Sequence, residues 1–113
     1  MLKNTDRPER KASLGGTGKG AAEVYYVPIP DKAGAFQMAT RIEMEPGATI
    51  GYHQHAEDEE VYIVLSGEGI YIEENERVPA KPGDVFLCRK GNSHGLENTG
   101  GKPLILAAAI AKK

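Results

Sequence analysis

Three histidines and one glutamate are the residues of this chain whose types and spacing suit a metal ion. His53 and His55 lie two residues apart, Glu60 follows shortly after them, and His94 is the remaining histidine. Side chains two apart on a β-strand point to the same face, so the first two imidazoles are expected side by side. Three neutral imidazoles and one carboxylate suit a divalent transition metal: manganese, iron, cobalt, nickel, copper or zinc.

The same stretch also has a plainer interpretation, because a histidine pair beside acidic residues can be a solvated turn. Glu57, Asp58 and Glu59 are interpreted as such a turn and are given no metal role. Glu60 differs, because it leads directly into the apolar run VYIVL, where it is expected to begin a strand adjacent to the histidine pair. Burying an unpaired carboxylate there is costly, so a cation is its expected partner.

Short β-strands separated by turns are the elements that must position these residues. The 14 glycines and 7 prolines fall between short apolar runs, which is typical of β-structure. We predict strands at residues 23–29, 36–44, 49–55, 60–65, 70–72, 85–88, 94–98 and 103–110. The last of these has a helical alternative, because it contains three consecutive alanines. This pattern predicts an all-β sandwich or small barrel.

The length and charge of the chain limit its domain organisation and its partners. With 113 residues, one barrel domain over residues 21–113 is expected, preceded by a flexible basic arm at residues 1–20. The net charge of −2 gives no general attraction to nucleic acid or to a membrane, and no apolar run is long enough to span a bilayer. The GGTGKG stretch of the arm lacks the P-loop pattern. A single cysteine, Cys88, favours a cytoplasmic protein.

The spacing of the candidate ligands resembles the first motif of the cupin family, G-x5-H-x-H-x(3,4)-E-x6-G. Every fixed position is filled, by Gly47, His53, His55, Glu60 and Gly67.

The second cupin motif is similar to the stretch that contains Gly83, Gly91, His94 and Asn98, although Arg89 stands where proline is usual. The resemblance implies a double-stranded β-helix, or jelly-roll barrel, with one divalent metal held by His53, His55, Glu60 and His94.

The strands that carry these ligands also suggest a substrate pocket. Tyr62 and Val64 share the inward face with Glu60, Leu96 shares that of His94, and Met38 faces inward from an earlier strand. Tyr62 is a candidate catalytic phenol, with plain core packing as the alternative.

The resemblance leaves the activity open, since cupins include enzymes, storage proteins and sensors. One hypothesis is an enzyme acting on a small carboxylate or enolate through its metal, either a dioxygenase-like oxidoreductase or an oxalate-decarboxylase-like lyase. The alternative is a non-catalytic metallo-barrel that binds or senses a small carboxylate. The segment 23–29 is apolar on both faces, which favours a homodimer.

Overall fold

The described part of the chain forms ten β-strands arranged in two sheets. The computed structural model describes residues 1–31 and 33–112. The strands are β1 (Glu9–Lys11), β2 (Ala22–Tyr26), β3 (Phe36–Met44), β4 (Thr49–Gln54), β5 (Asp58–Ser66), β6 (Gly69–Glu73), β7 (Glu76–Ala80), β8 (Val85–Cys88), β9 (Ser93–Asn98) and β10 (Leu104–Lys112). Over the described ranges the chain forms no helix with the length and apolar character needed to cross a bilayer.

The two sheets face each other as the two walls of a jelly-roll barrel. One has six strands in the order β1-β2-β3-β10-β5-β8, and the other has four in the order β4-β9-β6-β7. The paired strands are antiparallel. This architecture confirms the predicted all-β double-stranded β-helix.

The chain crosses from one sheet to the other between the histidine pair and Glu60. Strand β4 pairs with β9, whereas β5 pairs with β10 and β8. The expectation that Glu60 begins a strand adjacent to the pair is therefore wrong. Its carboxylate instead faces the imidazoles across the barrel interior, where inward side chains of opposing sheets meet.

The core lies between the sheets and is built by strict alternation along the long strands. Ile42 and Met44 of β3 are buried, as are Leu104, Leu106 and Ala108 of β10. The predicted bounds of β3 and β8 are confirmed, and the alanine-rich last segment is a strand. The central position of β10 between β3 and β5 explains this, because its inward side chains complete the core and thereby override helix propensity.

Strand β7 was not predicted, since it contains Glu76, Arg77 and Pro79. It forms a hairpin with β6 through Glu74 and Asn75, both of which have positive φ (45° and 77°), as a two-residue hairpin turn requires. Because β7 lies at the edge of its sheet, the missing N–H of the proline is tolerated.

The first 20 residues lie along the barrel. Strand β1 pairs with β2, and Leu14 forms a parallel bridge with Ile50 of β4. The arm was predicted to be flexible, but the structure gives it backbone pairing with both sheets because its backbone finds partners at their free edges. The domain boundary at residue 20 stays a prediction.

Candidate metal centre

Four side chains that are distant in the sequence converge inside the barrel. His53 lies on β4, His55 directly follows that strand, Glu60 lies on β5, and His94 lies on β9. One ligand atom from each lies within 4.8 Å of the others. The structure therefore brings together all four residues that the sequence predicted as ligands.

A β-bulge in strand β4 makes this convergence possible. Ile50 pairs with Leu96 and His53 pairs with His94, so β4 spans three residues where β9 spans two. The additional residue lets both Ile50 and His53 face the interior, although they are an odd number of positions apart.

The distances between the ligand atoms match those of neighbouring ligands around one metal ion. Nε2 of His55, Nε2 of His94 and Oε1 of Glu60 are each 3.0 Å from one another. Nε2 of His53 is 3.1 Å from Nε2 of His55 and 3.9 Å from Oε1 of Glu60. Adjacent ligands of an octahedral ion with bonds of about 2.1 Å lie about 3.0 Å apart.

The other nitrogen of each imidazole is hydrogen-bonded on the side away from this cluster. Nδ1 of His53 lies 2.6 Å from the Gly51 carbonyl oxygen, and Nδ1 of His55 lies 2.7 Å from Oδ1 of Asp58. Nδ1 of His94 lies 3.0 Å from the Tyr71 hydroxyl.

These contacts fix which nitrogen of each ring carries the proton. A carbonyl and a carboxylate only accept, so Nδ1 of His53 and of His55 must donate. The Tyr71 hydroxyl donates to Glu73, so its oxygen accepts from Nδ1 of His94.

Three unprotonated Nε2 atoms and one carboxylate oxygen therefore face one another with no proton among them when the rings are neutral. Because four largely buried acceptor atoms this close together repel one another and have no donor among them, a cation between them would stabilise the arrangement. The residues thus fit a divalent transition metal, for which neutral imidazole and carboxylate are suitable ligands.

The electrostatics of the cluster agree with a site prepared for positive charge. Burial opposes ionisation of Glu60, but its interactions with His53 and His94 outweigh this effect and lower its pKa to about 2. The interaction with Glu60 raises the pKa of His53, while burial lowers the pKa of His94. The carboxylate is therefore ionised throughout the physiological pH range.

One side of the cluster is open to solvent. The side chain of His53 is 25% exposed, whereas those of His55, Glu60 and His94 are 6%, 5% and 1% exposed. A small ligand would therefore approach the centre from the side of His53.

The partners behind the imidazoles were not predicted from the sequence. The sequence predicts Asp58 in a solvated turn, but this residue begins β5 and hydrogen-bonds His55. The Tyr71 hydroxyl links His94 to Glu73, whose second oxygen accepts a 2.9 Å hydrogen bond from Asn92. The alternation within β6 could have placed Tyr71 on the inward face, but nothing in the sequence pairs it with His94.

The residues predicted to line a substrate pocket are mostly part of the packed core. Tyr62, Val64 and Leu96 are each at most 2% exposed, and Met38 is partly buried against the hydrophobic core. The Tyr62 ring stacks on His94 with centroids 4.6 Å apart, and burial raises its pKa well above the usual value. The pocket and the catalytic role of Tyr62 stay predictions.

The chain matches a known protein family over most of its length. The family model described as "Cupin domain" matches residues 40–110, a range that includes all four candidate ligands. The chain belongs to the cupin family. The structure agrees at the glycines of the two cupin motifs, Gly47, Gly67, Gly83 and Gly91, which all have positive φ.

Related cupins include proteins connected with oxalate. A protein of Thermotoga maritima described as "Oxalate-binding protein" is 36% identical over 107 residues, which cover 91% of this chain and 85% of that protein. A crystal structure described as a predicted oxalate decarboxylase from Thermotoga maritima has a TM-score of 0.89 at 32% identity, covering 100% of this chain and 99% of that chain. KdgF from Halomonas sp. shares the fold, with a TM-score of 0.67 at 21% identity over 81% of this chain and 80% of that chain.

Proposed function

We propose that this cupin holds one divalent transition metal through His53, His55, Glu60 and His94 and binds a small dicarboxylate, with oxalate as the first ligand to test. The observation that carries the proposal is the convergence of three unprotonated Nε2 atoms and one carboxylate oxygen within 4.8 Å of one another, with four of the separations at 3.0–3.1 Å. When bound, the metal supplies positive charge and open coordination positions.

The residues of the chain leave room for a ligand with two oxygens. Four protein ligands on an octahedral ion leave two positions free, which two carboxylate oxygens of oxalate can fill. The exposed edge of the His53 ring marks the open side of the centre, because the other three candidate ligands, His55, Glu60 and His94, are buried. The likeness to the Thermotoga maritima oxalate-binding protein supports this choice of ligand.

Binding is favoured over catalysis because the acidic groups around the centre already have other roles. Glu60 is a candidate metal ligand, the Asp58 carboxylate accepts a hydrogen bond from His55, and the Glu73 carboxylate accepts one from the Tyr71 hydroxyl. None of these three carboxylates is left to deliver a proton to a substrate.

An enzyme acting on the same ligand is the second candidate, supported by the 0.89 TM-score to the predicted oxalate decarboxylase. Decarboxylation converts oxalate and one proton into formate and carbon dioxide. A dioxygenase-like reaction would instead consume dioxygen on an enolate or carboxylate substrate. Product analysis distinguishes both reactions from simple binding.

Isothermal titration calorimetry with the metal-loaded protein tests the proposal. We expect oxalate to bind the metal-loaded protein and not the chelator-treated protein. Acetate is the control ligand, because it has one carboxylate and cannot place an oxygen from each of two carboxylates on the metal. Oxalate at about a hundred times its Kd should add about 2.7 kcal/mol to the free energy of unfolding. His53→Ala should abolish this gain. Equal binding of oxalate with and without metal would contradict the proposal.

We also propose that the protein forms a homodimer, through a face different from the one the sequence suggested. On β2 the outward ring of Tyr25 is covered by Arg41, whose guanidinium carbon lies 4.2 Å from the ring centroid. Four exposed apolar side chains instead lie on the paired strands β5 and β8: Ile63, Leu65, Val85 and Leu87, at 38%, 50%, 61% and 53% exposure. A second copy related by a two-fold axis would cover this face with its own apolar side chains.

A further inference from the structure

A short glycine-rich loop at the N-terminus lies against the strand that carries His53. We call residues 14–18 the N-terminal loop. The N–H of Gly51 on β4 donates to the Leu14 carbonyl oxygen at 2.9 Å. Directly after the loop, the N–H of Thr49 donates to the Lys19 carbonyl at 2.7 Å, and the N–H of Lys19 donates to the Thr49 hydroxyl at 2.9 Å.

The N-terminal loop is closed by its own hydrogen bonds. The N–H of Gly18 donates to the Leu14 carbonyl at 2.9 Å, and the N–H of Thr17 donates to the Gly15 carbonyl at 2.8 Å. The Ser13 hydroxyl donates to the Gly18 carbonyl at 2.9 Å. The loop therefore has one defined shape where it meets β4.

Gly51 connects this loop to the candidate metal centre. Its N–H is held by Leu14, while its carbonyl oxygen accepts the proton of Nδ1 of His53 at 2.6 Å. A side chain at Gly51 would collide with Thr17 and with the backbone nitrogen of Gly18. The loop thus occupies the space that the missing side chain leaves beside the bulge of β4.

Gly15 lies directly beside His53. A Cβ atom at Gly15 would lie 2.7 Å from the Gly51 carbonyl oxygen and 2.9 Å from Nδ1 of His53, which are the two atoms of the hydrogen bond that orients the imidazole. Gly16 has a similar positive φ, 77° against 65°, but a Cβ there would have no atom within 4 Å.

We propose that the N-terminal loop is a positioning element of the metal centre and that Gly15 is its critical residue. By holding the Gly51 peptide, the loop keeps the proton of His53 on Nδ1 and directs Nε2 towards His55 and Glu60. The expected consequence for metal affinity rests on the proposed function, whereas the expected consequence for the His53 ring can be measured without metal.

The substitutions Gly15→Ala and Gly16→Ala form a matched pair. Both place alanine at positive φ and so add comparable backbone strain, but only the first places a methyl group against His53. In metal-free protein, ¹⁵N NMR of the imidazoles should show His53 protonated at Nδ1 in the wild type and in Gly16→Ala, and an altered tautomer population in Gly15→Ala. The affinity for Co²⁺ should fall about 10-fold to 100-fold in Gly15→Ala relative to Gly16→Ala.

Identical His53 spectra and identical Co²⁺ affinities in the two variants would overturn the proposal. If Gly15→Ala does not fold, Leu14→Ala replaces it, because this change loosens the partly buried anchor of the loop without adding an atom beside His53. It should shift the tautomer and weaken Co²⁺ binding in the same direction, and no change in either would equally overturn the proposal. A wild-type protein that binds no Co²⁺ would contradict the proposed function instead, while the NMR comparison would still decide the role of the loop.

Discussion

Replacing Glu60 with glutamine should stabilise the metal-free protein in alkaline solution, at a pH above the raised pKa of His53. The Glu60 side chain is 5% exposed, and its Oε1 lies 3.0 Å from Nε2 of both His55 and His94. With the ring protons on Nδ1, neither nitrogen can donate to the carboxylate. In Glu60→Gln the amide can donate a hydrogen bond to one of them, and the buried charge is gone.

The expected gain corresponds to relieving one unsatisfied buried group, which is about 1–3 kcal/mol. Each kcal/mol moves the Tm of a domain of about this size by about 4–8 °C. The same substitution removes a metal ligand, so added Co²⁺ should stabilise the wild type and leave the variant almost unchanged.

The effect should reverse in mildly acidic solution, at about pH 5.5. The pKa of His53 is raised from 6.5, so its stabilising contribution is present below pH 6.5 and is lost as the pH rises through the folded-state pKa. The pKa of Glu60 is lowered from 4.5 to about 2, so its contribution is present above pH 4.5 and is lost as the pH falls through about 2. Between pH 4.5 and pH 6.5 both contributions are present, because the carboxylate of Glu60 pairs with protonated imidazole. In this pH range Glu60→Gln should therefore destabilise the protein.

Chemical denaturation of chelator-treated protein at the two pH values measures both signs, with Glu59→Gln as the neighbouring control outside the cluster. A variant that is no more stable than the wild type at a pH above the pKa of His53 would refute the assignment of unprotonated Nε2 atoms.

Three further predictions concern the metal centre and the proposed dimer face. Tyr71→Phe removes the oxygen that accepts the Nδ1 proton of His94, so Co²⁺ affinity should fall about 10-fold to 100-fold in a competition titration; an unchanged affinity would exclude this role. Because protons compete with metal for the imidazoles and the pKa of His53 is raised, Co²⁺ affinity should already decline as the pH falls towards 6.5, and a pH-independent affinity would contradict imidazole ligation. Leu87→Arg should convert the proposed dimer into a monomer in sedimentation experiments, whereas Phe36→Arg, at a similarly exposed position elsewhere, should not; a dimer that survives Leu87→Arg would argue against this face.

The sequence was sufficient to predict the ligand cluster, because the spacing of its residues resembles the two cupin motifs and because residue spacing on a strand determines which side chains share a face. The two-residue separation of His53 and His55 places both rings on one side, and the apolar run after Glu60 orients its carboxylate inward. The sequence also predicted most strands, since their apolar alternation reflects a half-buried sheet.

The features that were missed depend on tertiary contacts or on the chain's local irregularities. Tyr71 meets His94 because β6 pairs with β9 in one sheet, and Asp58 meets His55 where the chain crosses between the sheets. No periodicity in the sequence encodes either contact. Strand β7 lacks an apolar pattern because it is an edge strand, and the bulge in β4 lies beside the N-terminal loop, a contact that the sequence does not announce. The sequence predicts that loop as part of a flexible arm because a glycine-rich stretch with few apolar residues gives no sign of what it packs against.

Anomalous diffraction from crystals of protein purified without added metal tests the central claim most directly. The account predicts one peak inside the barrel, about 2.0–2.2 Å from the Nε2 atoms of His53, His55 and His94 and from Oε1 of Glu60, and the absorption edge would identify the element. A barrel that shows no peak even after soaking in Co²⁺ or Zn²⁺, with its imidazoles turned away from one another, would contradict it.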